Sequence, residues 1–352
     1  MNTFMWAEIK SQGDNIRQVT NHLFGPERKI LDKAADILRN GKPIMFIGMG
    51  SAEYLCAPAE HFLCSKGIFA VTVSASEAFY HLFPTINNFN VVINSRSGET
   101  IEIVKLSEKL KSHQIPVIAL TNEPSSTLAR NSTYVIWANS RVDTLVSINI
   151  VTGMKTATLM LAAQVTNELD DKRHDFDTLA DVMDGAIQSA DEQAEMIADF
   201  FGAVRPIYLL YRGSSKSAAT CGRLVLEEVA RWPTVAMHAG EFRQGPIEVV
   251  NEVFGALVFA SDGVPGMLNL SLAKEIKSYG GKVLVVGVIP ESEKSSTDFK
   301  LFSLQSIARE ISPVVEVVPS QVLAYKLAEQ QGFTPGECRY ISKIITTEEA
   351  SL

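Results

Sequence analysis

Short β-branched and aliphatic runs alternate along this chain with segments whose apolar residues recur at helical spacing. At the start, Ile16, Val19 and Leu23, then Ile30, Leu31, Ala34, Ile37 and Leu38, predict two helices divided by Pro26 within residues 1–40. Strands are expected at Pro43–Ile47, Phe69–Val73, Val91–Ile93, Ile115–Leu120 and Tyr134–Trp137. Helices fall between them: one through Leu55, Ala59, Phe62 and Leu63, one from Ile101 to about Ser112, and a long apolar one over 145–168. Alternation this dense predicts a parallel sheet covered on both faces, with ligands at the carboxyl ends of its strands.

The second half echoes the first. Ile207–Ser215 parallels Ile44–Ser51, Ala256–Ala260 with Ser261-Asp262-Gly263 takes the place of Val91–Thr100, and Val283–Gly287 that of Val117–Leu120. Residues 170–200 turn acidic and polar around Leu179, Val182, Met183, Ile187 and Met196, the pattern of a linking helix. A strand is expected at Val314–Val317 and a helix from Ser320 to Gln331. Beyond it lies a tail that Tyr340, Ile341, Ile344 and Ile345 should dock. The expected fold class is therefore α/β, with two tandem doubly wound parallel-sheet subdomains. The expected boundaries are N-terminal helices 1–40, a first domain 41–170, a link 171–200, a second domain 201–330 and the tail 331–352.

Composition narrows the function. With 352 residues, 46% hydrophobic and 20% charged, the chain can fill two ordinary cores. Its net charge of −8, with no basic run beyond Lys172-Arg173-His174, argues against a nucleic-acid surface and for a small ligand held in a local positive site. Cys56, Cys64, Cys221 and Cys338 lie far apart without a CxxC, and no two histidines stand at helical ligand spacing, so neither disulfides nor a metal is expected. Met1–Glu8 lacks a basic stretch followed by an apolar run, and the Val146–Val165 helix is interrupted by Asn149 and Lys155. A cytosolic protein that does not span a membrane is expected. Gly48-Met49-Gly50-Ser51-Ala52-Glu53 begins like a dinucleotide loop. Glu53 stands where a third glycine is needed and would repel the pyrophosphate, so no nicotinamide or flavin cofactor is expected.

The candidate chemistry centres on Ser95-Arg96-Ser97-Gly98-Glu99-Thr100, between a strand and a helix. Backbone amides at such a turn, the helix dipole, three hydroxyls and the Arg96 charge suit an anion, and a phosphate uses that many donors best. Without a ligand, Ser97 would serve as an N-cap and Glu99 and Thr100 as first-turn residues; capping leaves Ser95 and Arg96 unexplained. The second copy has Asp262 where the first has Arg96, which disfavours phosphate there.

In Arg223-Leu224-Val225-Leu226-Glu227-Glu228-Val229-Ala230-Arg231-Trp232 the two glutamates should differ. Helical offsets give Glu227 two arginines, Arg223 and Arg231, whereas Glu228 faces Leu224, Val225 and Trp232. A carboxylate losing hydration there becomes a candidate base, unless its stem packs and its head reaches solvent. The polar segment His238-Ala239-Gly240-Glu241-Phe242-Arg243-Gln244-Gly245-Pro246 is expected between two helices, either lining a site or as a surface turn bridged by Glu241 and Arg243.

Together these residues resemble the sugar isomerase (SIS) family of phosphosugar-binding domains, in the double-domain arrangement of the isomerase half of glucosamine-6-phosphate synthase. The resemblance is carried by Ser95–Thr100, Gly240–Pro246, and the ending Leu323-Ala324-Tyr325 through Arg339-Tyr340-Ile341-Ser342-Lys343. It implies a flavodoxin-like three-layer fold in each half, a sugar phosphate held by Ser95, Arg96, Ser97 and Thr100 with Ser51 nearby, and Glu228 as the base moving a proton between C1 and C2. It also places Lys343 where the synthase has a Schiff-base lysine, and it implies a homodimer or higher homo-oligomer. Two departures stand out. A ring-opening histidine just before Gly-Pro is Gln244 here, which cannot accept and return a proton near neutral pH, and a lysine before the catalytic glutamate is Val225. With no glutaminase segment in the sequence, the chain looks more like the fructosamine 6-phosphate deglycases, with Glu241 or Gln244 assisting ring opening. A phosphosugar isomerase or amino-sugar deaminase, and a non-catalytic phosphosugar sensor, are the alternatives.

Overall fold

A computed structural model describes residues 3–260 and 263–347. The chain divides into two compact units, each built on one five-stranded parallel sheet. One comprises Asp14–Val142, Asn149–Asp177 and Tyr340–Leu352; the other Met1–Gly13, Asp143–Ile148 and Thr178–Arg339.

The first sheet contains β1 (Ile44–Gly48), β2 (Ala70–Ser74), β3 (Asn90–Ser95), β4 (Val117–Thr121) and β5 (Tyr134–Trp137), in the order β2-β1-β3-β4-β5. Every residue of β1, β3 and β4 is buried, as a parallel sheet shielded on both faces requires. On one face Met45, Ile47, Val91, Ile93, Val117 and Ala119 pack with Ile103, Leu106 and Leu110 of the helix Ile101–Ser112. Against the opposite side of the unit runs the helix Asn149–Val165, buried nearly all round and packed on Arg28–Leu38 and Ala57–Ser65. A helix apolar on every face belongs in an interior. Strand order reverses direction between β1 and β3, so the crevice at their carboxyl ends is where this topology binds ligands.

The second sheet contains β6 (Ile207–Tyr211), β7 (Thr234–His238), β8 (Gly255–Ala260), β9 (Lys282–Gly287) and β10 (Phe299–Ser303), in the order β10-β9-β8-β6-β7. Read from the other edge this is the order of the first sheet, so the repeat seen in the sequence is a repeat of topology. Its first strand ends as β1 does: Gly50 has φ 56° before Ser51, and Gly213 has φ 57° before Ser214.

Several expectations are corrected. The N-terminal helices number three, Phe4–Lys10, Gln12–Phe24 and Arg28–Leu38. Val314–Val317 is not a strand: a 3-10 turn at Ser312–Val314 leads into the helix Val318–Gln330. The reason is visible in Glu316, fully buried, whose carboxylate accepts the Ser312 hydroxyl at 2.8 Å, a bond that needs helical four-residue spacing. Strand β10 went unread because Phe299–Ser303 is a short edge strand with polar alternation. The segment after His238 follows β7 rather than a helix, and Asp262 lies outside the described residues. Among the described residues no helix is long and apolar enough to cross a membrane.

Candidate functional site

The turn at the end of β3 is held by its own side chains. Ser95 is buried, and its hydroxyl accepts the Gly98 amide at 3.0 Å; the Ser97 hydroxyl accepts the Glu99 amide at 3.2 Å. Ser97 is therefore not the N-cap. That position is Thr100, with extended φ −60° and ψ 133°, and its side chain makes no capping bond. Each serine oxygen that accepts an amide keeps its own O–H to donate. Ser51 opens the helix after β1, at the neighbouring strand end. The Arg96 carbonyl accepts the Asn122 amide at 3.1 Å and the Thr121 hydroxyl at 3.2 Å, which ties the turn to the end of β4. Gly98, at φ 61°, lies so close to the next loop that a Cβ would stand 2.2 Å from the Ser126 hydroxyl. The turn gathers Ser95, Ser97, Thr100 and Arg96 beside the switch point of the sheet, residue types that a phosphate would use.

The C-terminal tail reaches this turn through its backbone. The Ile345 carbonyl accepts the Ile101 amide at 3.0 Å, and the Lys343 carbonyl accepts the Arg96 guanidinium. Of the four apolar residues expected to dock it, Tyr340, Ile341 and Ile345 are exposed and Ile344 is half-buried. Lys343 is itself exposed.

In the other unit, Glu228 lies on a π-turn, Leu226–Ala230, that follows the helix Lys216–Val225. Such turns often mark functional positions. They also break the α-helical offsets: Glu227 keeps Arg223 at 3.6 Å and accepts the Thr234 hydroxyl at 3.1 Å, but loses Arg231. Arg231 takes a left-handed conformation, φ 51°, stacks on Phe333 at 4.0 Å and donates to the Glu337 carbonyl at 3.4 Å. Glu228 is half-buried. Its carbonyl receives the Cys338 thiol at 3.9 Å, and burial together with the Glu228 charge pushes that thiol up to about 11, against the opposing pull of Arg231.

Glu241 and Gln244 lie elsewhere in this unit. Both are exposed on the turn after β7, with the Gln244 amide donating to the Glu241 carbonyl at 2.8 Å. Arg243 pairs with Glu275 at 2.8 Å, not with Glu241. Glu227 bonds to Thr234 at the amino end of β7, and Glu241 and Gln244 follow its carboxyl end, a strand rise of about 13 Å further on. Around His238 a cluster emerges that sequence reasoning missed. Its Nδ1 accepts the Gly240 amide at 3.1 Å and its ring meets that of Tyr211 at 6.0 Å. Burial, reinforced by Arg212, pushes the imidazole below its ordinary value despite Glu241. Only pairing β6 with β7, Tyr211 opposite His238, reveals this cluster.

Residues 37–166 match the family model of the SIS domain. This stretch is a SIS domain. A glutamine–fructose-6-phosphate aminotransferase (isomerizing) from Pyrobaculum aerophilum is 27% identical over 98% of this chain; the chain spans 58% of that relative's length. Among solved structures, the C-terminal domain of glucosamine-fructose-6-phosphate aminotransferase from Francisella tularensis superposes with a TM-score of 0.83 at 20% identity, covering 95% of this chain and 98% of that one. The tagatose-6-phosphate ketose/aldose isomerase from Escherichia coli superposes at 0.77 and 18% identity, covering 95% and 94%. The fold of these two solved structures thus extends over both sheets.

Proposed function

We propose that this SIS protein is a phosphosugar enzyme, specifically a fructosamine 6-phosphate deglycase, which converts a ketosamine 6-phosphate and water into glucose 6-phosphate and an amine or amino acid. The observation that carries the reading is the Ser95–Thr100 turn, whose serine oxygens accept amides of the turn and keep their O–H groups to donate. Ser95, Arg96, Ser97 and Thr100, with Ser51, grip the phosphate and so fix the register of C1 and C2. Glu228 takes a proton from C1 to give the enaminol and returns one to C2, which leaves an imine between C1 and the nitrogen. Water hydrolyses that imine. The substrate brings its own nitrogen, so Lys343 need not form a Schiff base; its carbonyl instead holds Arg96.

The reading includes a homodimer or higher homo-oligomer. A symmetric interface would bring residues of a second copy to Glu228, the Glu241–Gln244 turn among them. A second reading, an aldose–ketose or amino-sugar isomerase with Lys343 as the Schiff-base residue, is favoured by the activities in the relatives' names. Incubating the protein with 6-phosphorylated ketosamines and measuring glucose 6-phosphate separates the two. Release is expected, and it should fall at least about a hundredfold in Glu228→Gln. Turnover of ketose 6-phosphates alone would favour the isomerase, and binding without turnover a sensor.

A further inference from the structure

Asn94 places a buried amide at the centre of the first sheet, in a strand whose every residue is buried. Such a group costs stability unless its hydrogen bonds are made, and an apolar side chain would fill the same place without that demand. Successive strand residues face opposite ways, so Ser95 turns into the loop while Asn94 points away from it, to the helix Asn149–Val165. Its partners form a chain. The Thr158 hydroxyl, on that helix, stands 3.1 Å from Asn94 Oδ1 and 2.8 Å from the Met154 carbonyl. Asn94 Nδ2 donates to Cys56 Sγ at 3.1 Å, and the Cys56 thiol donates to the Ala52 carbonyl at 3.3 Å. Cys56 and Thr158 are as fully buried as Asn94.

The chain joins the two strand ends at the switch point. β1 and β3 pair from Ile44 opposite Asn90 to Ile47 opposite Ile93, and Asn94 is the next residue along β3. Past it the β3 turn is held to the end of β4, on the side away from β1. Ala52 directly follows Ser51, and its carbonyl lies so close to the end of β1 that a Cβ on Gly48 would stand 2.5 Å from it. Through Cys56, therefore, the residue before Ser95 is tied to the residue after Ser51. All of these residues belong to one unit.

We infer that Asn94, Cys56 and Thr158 are positioning residues, which hold the turns after β1 and β3 at the separation that one phosphate requires. The inference rests on the phosphosugar reading and deepens it. A phosphate gripped by Ser51 on one turn and by Ser95, Ser97 and Thr100 on the other gains from both only while that separation is fixed.

The test is calorimetric titration with glucose 6-phosphate, the product of the proposed reaction. Asn94→Leu is close to the amide in shape and leaves Thr158 the Met154 carbonyl and Cys56 the Ala52 carbonyl. Its melting temperature should stay within about 4 °C of wild type, whereas its affinity should fall about tenfold. In a Ser51→Ala background the same substitution should cost no more than about twofold, because the turn it positions has lost its hydroxyl. Cys56→Ala should weaken binding as Asn94→Leu does, and Cys56→Ser, which keeps a donor and an acceptor, should stay within about twofold of wild type. This pair decides the matter if Asn94→Leu does not fold. Wild-type affinity in Asn94→Leu and Cys56→Ala, or losses that multiply in full with Ser51→Ala, would overturn the inference and leave the phosphosugar reading intact. No binding of glucose 6-phosphate by the wild type would overturn both.

Discussion

The Glu99 carboxylate accepts the backbone amide of Thr127 at 2.6 Å, just past the Ser126 N-cap of the short helix Thr127–Asn131. An acid beside a proposed phosphate site would otherwise weaken it. Here its charge is spent on a helix N-terminus, and the bond fixes the turn to the following loop. Glu99→Ala should lower unfolding free energy by about 1.5–3 kcal/mol, the worth of a hydrogen bond to a charged group. Urea denaturation measures this, and a change within about 0.5 kcal/mol would show the bond to be ornamental.

Gly98 allows no side chain. A Cβ there meets the Ser126 hydroxyl at 2.2 Å and Cβ at 2.6 Å, and the residue already sits at φ 61°. Either the turn or the Ser126 cap must move in Gly98→Ala. The variant should lose about 2 kcal/mol or more of stability and most of its affinity for glucose 6-phosphate. Calorimetric titration alongside a melting curve distinguishes this from Ser126→Gly, which relieves the clash and should restore part of the affinity.

The turn and both sheets were legible because they rest on local rules. Runs such as Val91–Ile93 and Val283–Gly287 alternate with helical repeats, and the Ser95–Thr100 hydroxyls stand out between them. What escaped reading depends on contacts remote in sequence or on departures from regular geometry. Offsets of three and four residues assigned Arg231 to Glu227, but the π-turn rotates it onto Phe333. The Val314–Val317 run reads as a strand until the buried Glu316 is seen to need Ser312. The tail was expected to dock through isoleucines and docks through carbonyls. No hydrophobic pattern encodes such a bond.

Arg96 joins two functions that one substitution should separate. Its guanidinium is the charge proposed to meet the substrate phosphate, and it also holds the Lys343 carbonyl. Arg96→Ala should weaken binding of inorganic phosphate and glucose 6-phosphate by about tenfold, with little loss of stability because the side chain is only half-buried. The released tail should be cut faster by trypsin after Arg339 and Lys343. Slower or unchanged cleavage would mean that the Ile345 bond to Ile101 alone holds the tail.

His22 makes stability depend on pH. Its ring packs edge-on against Trp137 at 4.9 Å and is 9% exposed, with Glu27 3.8 Å from Nε2. Burial lowers its proton affinity below the ordinary 6.5, and the pull of Glu27 in the other direction is the smaller effect. Glu27 is partly engaged elsewhere, accepting the Trp137 amide at 3.0 Å. The unfolded chain therefore binds the His22 proton more readily than the folded one, so acid favours unfolding. The stabilisation is fully present above the unperturbed value and is lost as pH falls below it. His238, shifted the same way by burial, adds to the slope. His22→Leu keeps an apolar group against Trp137 and removes the titration, so its stability curve should be flatter than wild type between about pH 7 and about pH 5.5. Denaturant midpoints across that window decide the matter: parallel curves for the two proteins would mean that His22 titrates alike in the folded and unfolded states.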